Sequence, residues 1–367
     1  MSDRDRSSQM KAFLARSGWG DAVVTPLAGD ASTRRYARLT LGGRKAMLMD
    51  QPQHAEAPTA PVDAGEEARR ALGYNAVARL AGADTARFVA AAQWLKERGL
   101  GAPDIYEADP ALGFVILEDL GDALFAEVLA DGGNEKQLYE HAVEVLAKIH
   151  ASDAPAALSP AKPLFDYDLT ALIAETDLLV EWFLPLALHR PASDEETTEH
   201  RKLWRAVLSD KHRRVFVHRD YHAQNLLWLP ERHGIARVGL IDFQDAVAGS
   251  QAYDLISLIE DARRDVSPEL AEAATAHYLA AMRAQGARVD ETAFRHEMAV
   301  MAAQRNTKIV GIFARLYKRD GKARYLAFLP RVWAYLERDL EHPALAGLRA
   351  WYDRVIPKDK RAVEAAE

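Results

Sequence analysis

Strand-like and helix-like stretches are segregated along this 367-residue chain. Before residue 121, apolar residues run in short segments broken by glycine turns: VVTPLAGDAS, RRYARLTLGG and RKAMLMD, then a hairpin within IYEADPALGFVILEDLG. Beyond it, helical spacing recurs over 135–150, 168–188, 197–209, 268–285, 290–318 and 323–338, and two runs read as strands, RVFVH at 214–218 and ARVGLIDF at 236–243. Strands followed by helices, not alternating with them, predict an α+β chain. The expected organisation is a small β-rich lobe over 1–120 and a larger, mainly helical lobe over 121–367. Helices are expected in the first lobe at 8–18 and 84–98, with helical composition over 64–82; QPQHAEAPTAPVD at 51–63 reads as a loop.

The two late strands each run into a polar loop. VHRDYHAQN at 217–225 holds His218, Asp220 and Asn225, with four residues between the last two, and LIDFQDA follows at 240–246 with Asp242. Two strands ending side by side would gather Asp220, Asn225 and Asp242. Phosphoryl transfer needs such a set: a carboxylate to orient the attacking hydroxyl and accept its proton, and oxygen ligands for a hard divalent cation on the phosphates. In that chemistry Asp220 is the base, and Asn225 and Asp242 hold Mg²⁺. A zinc site at His218 and His222 would need a helix and a third ligand, and a strand precedes the pair.

Bulk properties narrow the classes. The net charge of −7 gives no basic excess for nucleic acid, and the absence of Cys excludes disulfides and thiolate metal sites. No apolar run approaches the ~18 residues of a spanning helix, and MSDRDRSSQMKAFLARSGWG lacks a signal-peptide core. These features predict a cytoplasmic protein without membrane or nucleic-acid partners; a monomer is the expectation, although none of them fixes the oligomeric state.

VHRDYHAQNLLW, LIDFQDA and AYDLISLI together resemble the aminoglycoside phosphotransferase and choline kinase superfamily, relatives of protein kinases. The resemblance implies a two-lobed protein-kinase-like fold using ATP and Mg²⁺, with His218 and Asp254 bracing the catalytic loop. AGDASTRRYARL, LMDQP, ILEDLGD and the long segment 304–336 resemble one subgroup, the anomeric kinases of N-acetylmuramate and N-acetylglucosamine. That implies phosphorylation of the sugar C1 hydroxyl to the α-1-phosphate, within peptidoglycan recycling. The rivals are a kinase of another hydroxyl acceptor (choline, homoserine or aminoglycoside type) and a non-catalytic pseudokinase.

Within this frame GDASTRRY becomes a phosphate loop. Gly29, Ala31 and Ser32 let backbone N–H groups approach phosphate oxygens, and Ser32 or Thr33 adds a hydroxyl. LEDLG becomes the hinge, pairing adenine with the Glu118 carbonyl and the Leu120 amide. The third strand carries Met47, Met49 and Asp50 where such kinases place a Lys, so Arg34 or Arg35 is the candidate cation for the phosphates. For the sugar, the candidates are Glu175 and Asp177, one on substrate and the other in solvent; His222, on the sugar or the loop; and Arg305 with Lys308, three apart on one helix face, as a clamp for the lactyl carboxylate.

Overall fold

The structure is a computed structural model that describes residues 3–28, 33–53, 56–208 and 212–363. The chain divides into two compact units: Met1–Val145, Pro155–Phe165 and Gln224–Ala246 form one, and Leu146–Ala154, Asp166–Ala223 and Val247–Glu367 form the other. The expected α+β class holds.

The first unit is built on a five-stranded antiparallel sheet. Its strands are β1 (Val23–Pro26), β2 (Arg35–Leu41), β3 (Arg44–Asp50), β4 (Ile105–Asp109) and β5 (Phe114–Leu117), in the order β1-β2-β3-β5-β4. Gly42 and Gly43 close the β2–β3 hairpin as its two loop residues, both at positive φ (53° and 83°), where side-chain-bearing residues are strained. Alternation along β3 puts Ala46 and Leu48 on the same face as Phe114 and Ile116 of β5. Helix α1 (Asp3–Arg16) covers that face with Phe13 and Leu14, and the Phe13 and Phe114 rings stack 5.5 Å apart. All four residues of β5, which is paired on both edges between β3 and β4, are buried. The helix expected at 84–98 is α2 (Thr85–Lys96), capped by Asp84, whose carboxylate accepts from Arg87 N at 3.2 Å. Its Phe88 stacks on Phe243 at 5.0 Å. The stretch 64–82 forms two short helices, Glu66–Leu72 and Tyr74–Val77, split at Gly73.

The second unit is mainly helical. Its axis is the 30-residue helix Glu291–Asp320, capped by Asp290 and ended by Gly321 at φ 67°. It packs on α3 (Leu169–Leu178), on α4 (Ala252–Ile259) and on the helix Leu329–Asp339. A side chain at Gly311 would put its Cβ 2.4 Å from the Leu178 carbonyl carbon, so glycine is what allows the close crossing with α3. Between residues 300 and 307 this helix is buried on every side, including Gln304, Asn306 and Thr307. Among the described residues, no helix is long and apolar enough to cross a membrane.

The two late strands do not pair with each other. RVFVH forms β6 (Arg214–Val217), antiparallel to Val247–Ser250 within the second unit. ARVGLIDF narrows to Val238–Leu240, antiparallel to Leu226–Trp228 within the first. The partner strands VAGS and LLW are too short to show a period.

Candidate active site

In the second unit, β6 leads into the catalytic-type loop. Asp254, in the first turn of α4, accepts from the backbone N–H of His218 (Oδ2, 2.6 Å) and of Arg219 (Oδ1, 2.9 Å). These bonds hold the two residues ahead of Asp220. Burial pushes the Asp254 carboxyl up to about 7 and the Asp220 charge adds to this, against the two N–H bonds and Arg305. Arg219 sits at φ 76°, an uncommon conformation for a residue with a side chain. Around it Arg219, Tyr221 and His222 are buried, whereas Asp220 is partly exposed.

Asp220 opens into a pocket of about 120 Å³, lined also by Arg219, His222, Arg263, Arg305 and Lys308. Beneath it lies a buried charge cluster. Glu175 on α3 accepts from Arg219, Lys308 (3.0 Å), Tyr167 and Gln304 (3.1 Å). Burial alone would raise the Glu175 carboxyl, but Lys308 and Arg219 overcome it and hold the group down at about 2. Burial likewise opposes the Lys308 charge, and Glu175 restores it, so Lys308 stays protonated. Burial, with help from Arg263 and Arg305, lowers His222 to about 3, which leaves a neutral imidazole. Its Nε2 accepts from Arg263 Nη1 at 3.3 Å.

The candidate sugar residues therefore separate. His222, Arg305 and Lys308 line the pocket with Asp220. Glu175 and Asp177 do not line it, and neither faces solvent. Glu175 is engaged by its four donors, and Asp177 pairs with Arg201 at 3.0 Å. Charge pairing within the helical unit, not solvation, occupies both. Arg305 donates to the Glu260 carbonyl at 3.2 Å and to Ser257 Oγ at 2.9 Å. Sequence reasoning passed over Arg263, whose only signal was a cationic residue in the irregular stretch after α4.

In the first unit, the register Leu226↔Leu240 sets Asn225 beside Ile241, whose N–H donates to the Asn225 carbonyl at 3.2 Å. Asn225 Nδ2 consequently lies 3.5 Å from Asp242 Oδ2. Asp242 sits at φ 64°, and its Oδ1 accepts from Gln244 Nε2 at 3.0 Å and Arg34 Nη1 at 3.3 Å. The Asp242 charge helps hold Arg34 protonated although its burial opposes that charge. Arg34, and not the exposed Arg35, thus faces Asp242. Thr33 Oγ1 donates to Glu56 at 2.6 Å and accepts from Gln51 at 3.1 Å. Gly29, Ala31 and Ser32 of the expected phosphate loop lie outside the described residues. Glu118 pairs with Arg232 at 2.5 Å, while its N–H donates to the Asp104 carbonyl at 2.8 Å. Leu120 is half-buried beside it.

Asn225 and Asp242 suit a hard cation. One carboxylate and one amide oxygen at a partly exposed position match Mg²⁺, which keeps several water or phosphate ligands. Here Asn225 Nδ2 faces Asp242, and the amide oxygen would serve a metal with the amide turned over.

Residues 23–291 match the model of the phosphotransferase enzyme family. The chain belongs to that family. This phosphotransferase is 45% identical over 365 residues to the N-acetylmuramate/N-acetylglucosamine kinase of Caulobacter vibrioides, covering 97% of this chain and 98% of that one. It is 31% identical over 366 residues to the enzyme of the same name from Pseudomonas aeruginosa, covering 95% and 96%. Among solved structures it is similar to a microcompartment-associated aminopropanol kinase (TM-score 0.59, 15% identity, 92% of this chain and 99% of that one). It is also similar to a choline/ethanolamine kinase family protein from Mesorhizobium loti (TM-score 0.55, 17% identity, 94% and 99%). The fold is thus the protein-kinase-like one that the motifs implied.

Proposed function

We propose that this phosphotransferase is a cytoplasmic kinase that moves the γ-phosphoryl group of ATP to the anomeric hydroxyl of N-acetylmuramate and N-acetylglucosamine. The observation that carries the reading is the 45% identity, over nearly the whole of both chains, to a relative bearing that name. Residues 1–120 serve the nucleotide and 121–367 the sugar, except that Asn225 and Asp242 hold the metal.

The chemistry follows from the side chains. The Asp220 carboxylate hydrogen-bonds the C1 hydroxyl and takes its proton as the oxygen attacks phosphorus. The Asp254 bonds to His218 and Arg219 hold the loop, so Asp220 needs little reorganisation. Mg²⁺, when bound by Asn225 and Asp242, neutralises and orients the phosphates. Arg34 supplies the cation that Met47, Met49 and Asp50 of β3 do not, and Thr33 with Gly29, Ala31 and Ser32 offers donors to phosphate. The Glu118 carbonyl and Leu120 amide pair with adenine. His222, Arg305 and Lys308 contact the sugar, while Glu175 acts at one remove by fixing Lys308 and Arg219. A pocket with four cations beside Asp220 disfavours a polycationic aminoglycoside.

The test is ³¹P NMR of the products formed from Mg-ATP and each sugar by the wild type and Asp220→Asn. The expected result is an anomeric sugar phosphate, with kcat about 10²- to 10⁴-fold lower in the variant. No phosphorylation of either sugar refutes the reading and returns the question to other hydroxyl acceptors. No ATP turnover with any acceptor would favour the pseudokinase.

A further inference from the structure

The pocket at Asp220 contains four cationic side chains, and their partners differ. Arg219 and Lys308 share the buried Glu175 carboxylate. Arg305 is buried, and its guanidinium donates inward to the Glu260 carbonyl and Ser257 Oγ. Arg263 is half-buried; among the described residues its guanidinium meets only the His222 ring nitrogen, and no carboxylate lies within ion-pair distance of it. The nearby Asp261 is turned to the loop backbone, where it accepts from Arg263 N at 2.9 Å and Ala223 N at 3.4 Å.

An Arg held by a neutral acceptor at a pocket wall is aimed and not neutralised. His222 is kept neutral by burial and by the surrounding cations, so it can accept from Arg263 without repelling an anion. Ala262, Ile309, Ile312 and Phe313 form an apolar wall of the same pocket. Its volume of about 120 Å³ is below the roughly 300 Å³ of a site enclosing a drug-sized ligand, so it takes one substituent of a sugar. The two sugars of the proposed reaction differ by one substituent. N-acetylmuramate carries a 3-O-lactyl group, a carboxylate with a methyl beside it, where N-acetylglucosamine carries a hydroxyl.

The geometry points to Arg263 as the specificity residue of the acceptor pocket: its guanidinium receives the lactyl carboxylate while the apolar wall takes the lactyl methyl. The assignment rests on the function proposed above. It replaces the expected clamp of Arg305 and Lys308: Arg305 is buried against the Glu260 carbonyl and Ser257, and the Lys308 charge is paired with Glu175. Lys308 contributes field but no open pair, whereas a guanidinium can grip a carboxylate with two parallel bonds. N-acetylglucosamine leaves Arg263 to water.

Steady-state kinetics of the wild type, Arg263→Gln and Arg263→Lys with both sugars test this. The expected result is that Arg263→Gln raises KM for N-acetylmuramate, relative to KM for N-acetylglucosamine, by about 10- to 100-fold. Arg263→Lys recovers part of the difference, because a point charge replaces a fork. The methyl ester of N-acetylmuramate, given to the wild type, shows the same loss as the free acid given to Arg263→Gln. A KM ratio within about threefold of wild type overturns the assignment, as does an ester that performs like the acid. Wild-type activity on N-acetylglucosamine alone also overturns it while leaving the kinase reading standing. Inactivity of the wild type on both sugars sinks that reading, and this assignment with it.

Discussion

Replacing Glu175 by Gln removes the carboxylate that two buried cations share. The Glu175 carboxylate accepts from Arg219, Lys308, Tyr167 and Gln304, which fills the roughly four acceptor positions a carboxylate has. A carboxamide offers one acceptor oxygen and turns an NH₂ toward groups that are themselves donors. Two estimates of the cost agree. The carboxyl is held at about 2 against an ordinary 4.5, a difference that corresponds to about 3 kcal/mol of folding stability. Breaking a buried ion pair by removing one partner costs about 3–5 kcal/mol. Because the folded-state value is depressed, this stability is fully present above pH 4.5 and is lost as pH falls toward 2. Urea unfolding at pH 7, followed by tryptophan fluorescence, measures it. Trp182, Trp204, Trp333 and Trp351 all report on the second unit. The expected loss for Glu175→Gln is about 3–4 kcal/mol. A loss under about 1 kcal/mol would refute the reasoning, since the two cations would then be satisfied without the carboxylate.

Three further outcomes are expected. Gly311→Ala drives a Cβ to 2.4 Å from the Leu178 backbone, so stability falls by about 1–3 kcal/mol and Tm by several degrees; an unchanged thermal midpoint would contradict the close crossing. His150 and His200 are buried and lowered to about 3 by desolvation first, so the unfolded chain binds their protons below pH 6.5 and the folded chain does not. Each then withdraws about 1.4 kcal/mol per pH unit as pH falls from 6.5 toward 3; urea midpoints between pH 7 and 5 should decline less steeply in the His150→Gln/His200→Gln double variant, and equal slopes would contradict this. Arg34→Met weakens Mg-ADP binding by about tenfold or more in calorimetric titration, because it removes the cation facing Asp242, whereas Arg35→Met weakens it much less; equal losses would show that Arg34 has no special place.

Much of the fold could be read from local pattern. The glycine pair at 42–43, the apolar run FVIL and the long periodic stretch 290–318 each correspond to an observed element. Elements whose order comes from partners were not legible. VAGS is a strand because RVFV pairs with it, and LLW because VGL does; three or four residues hold no measurable period. The same division runs through the candidate site. The spacing of His218, Asp220, Asn225 and Asp242 was visible, since a loop motif is local.

The sequence by itself determined the α+β order of elements and the family, and it singled out the groups proposed for phosphoryl transfer. These depend on short-range spacing, which any reader of the chain can see. Only the tertiary structure decided what each charge does. Glu175 lies 44 residues from Arg219 in sequence and is buried against it, and Arg263 lies 41 residues beyond His222 yet touches its ring. The reason is physical: a charge is defined by its burial and its partners, and both are set by packing between segments distant in the chain.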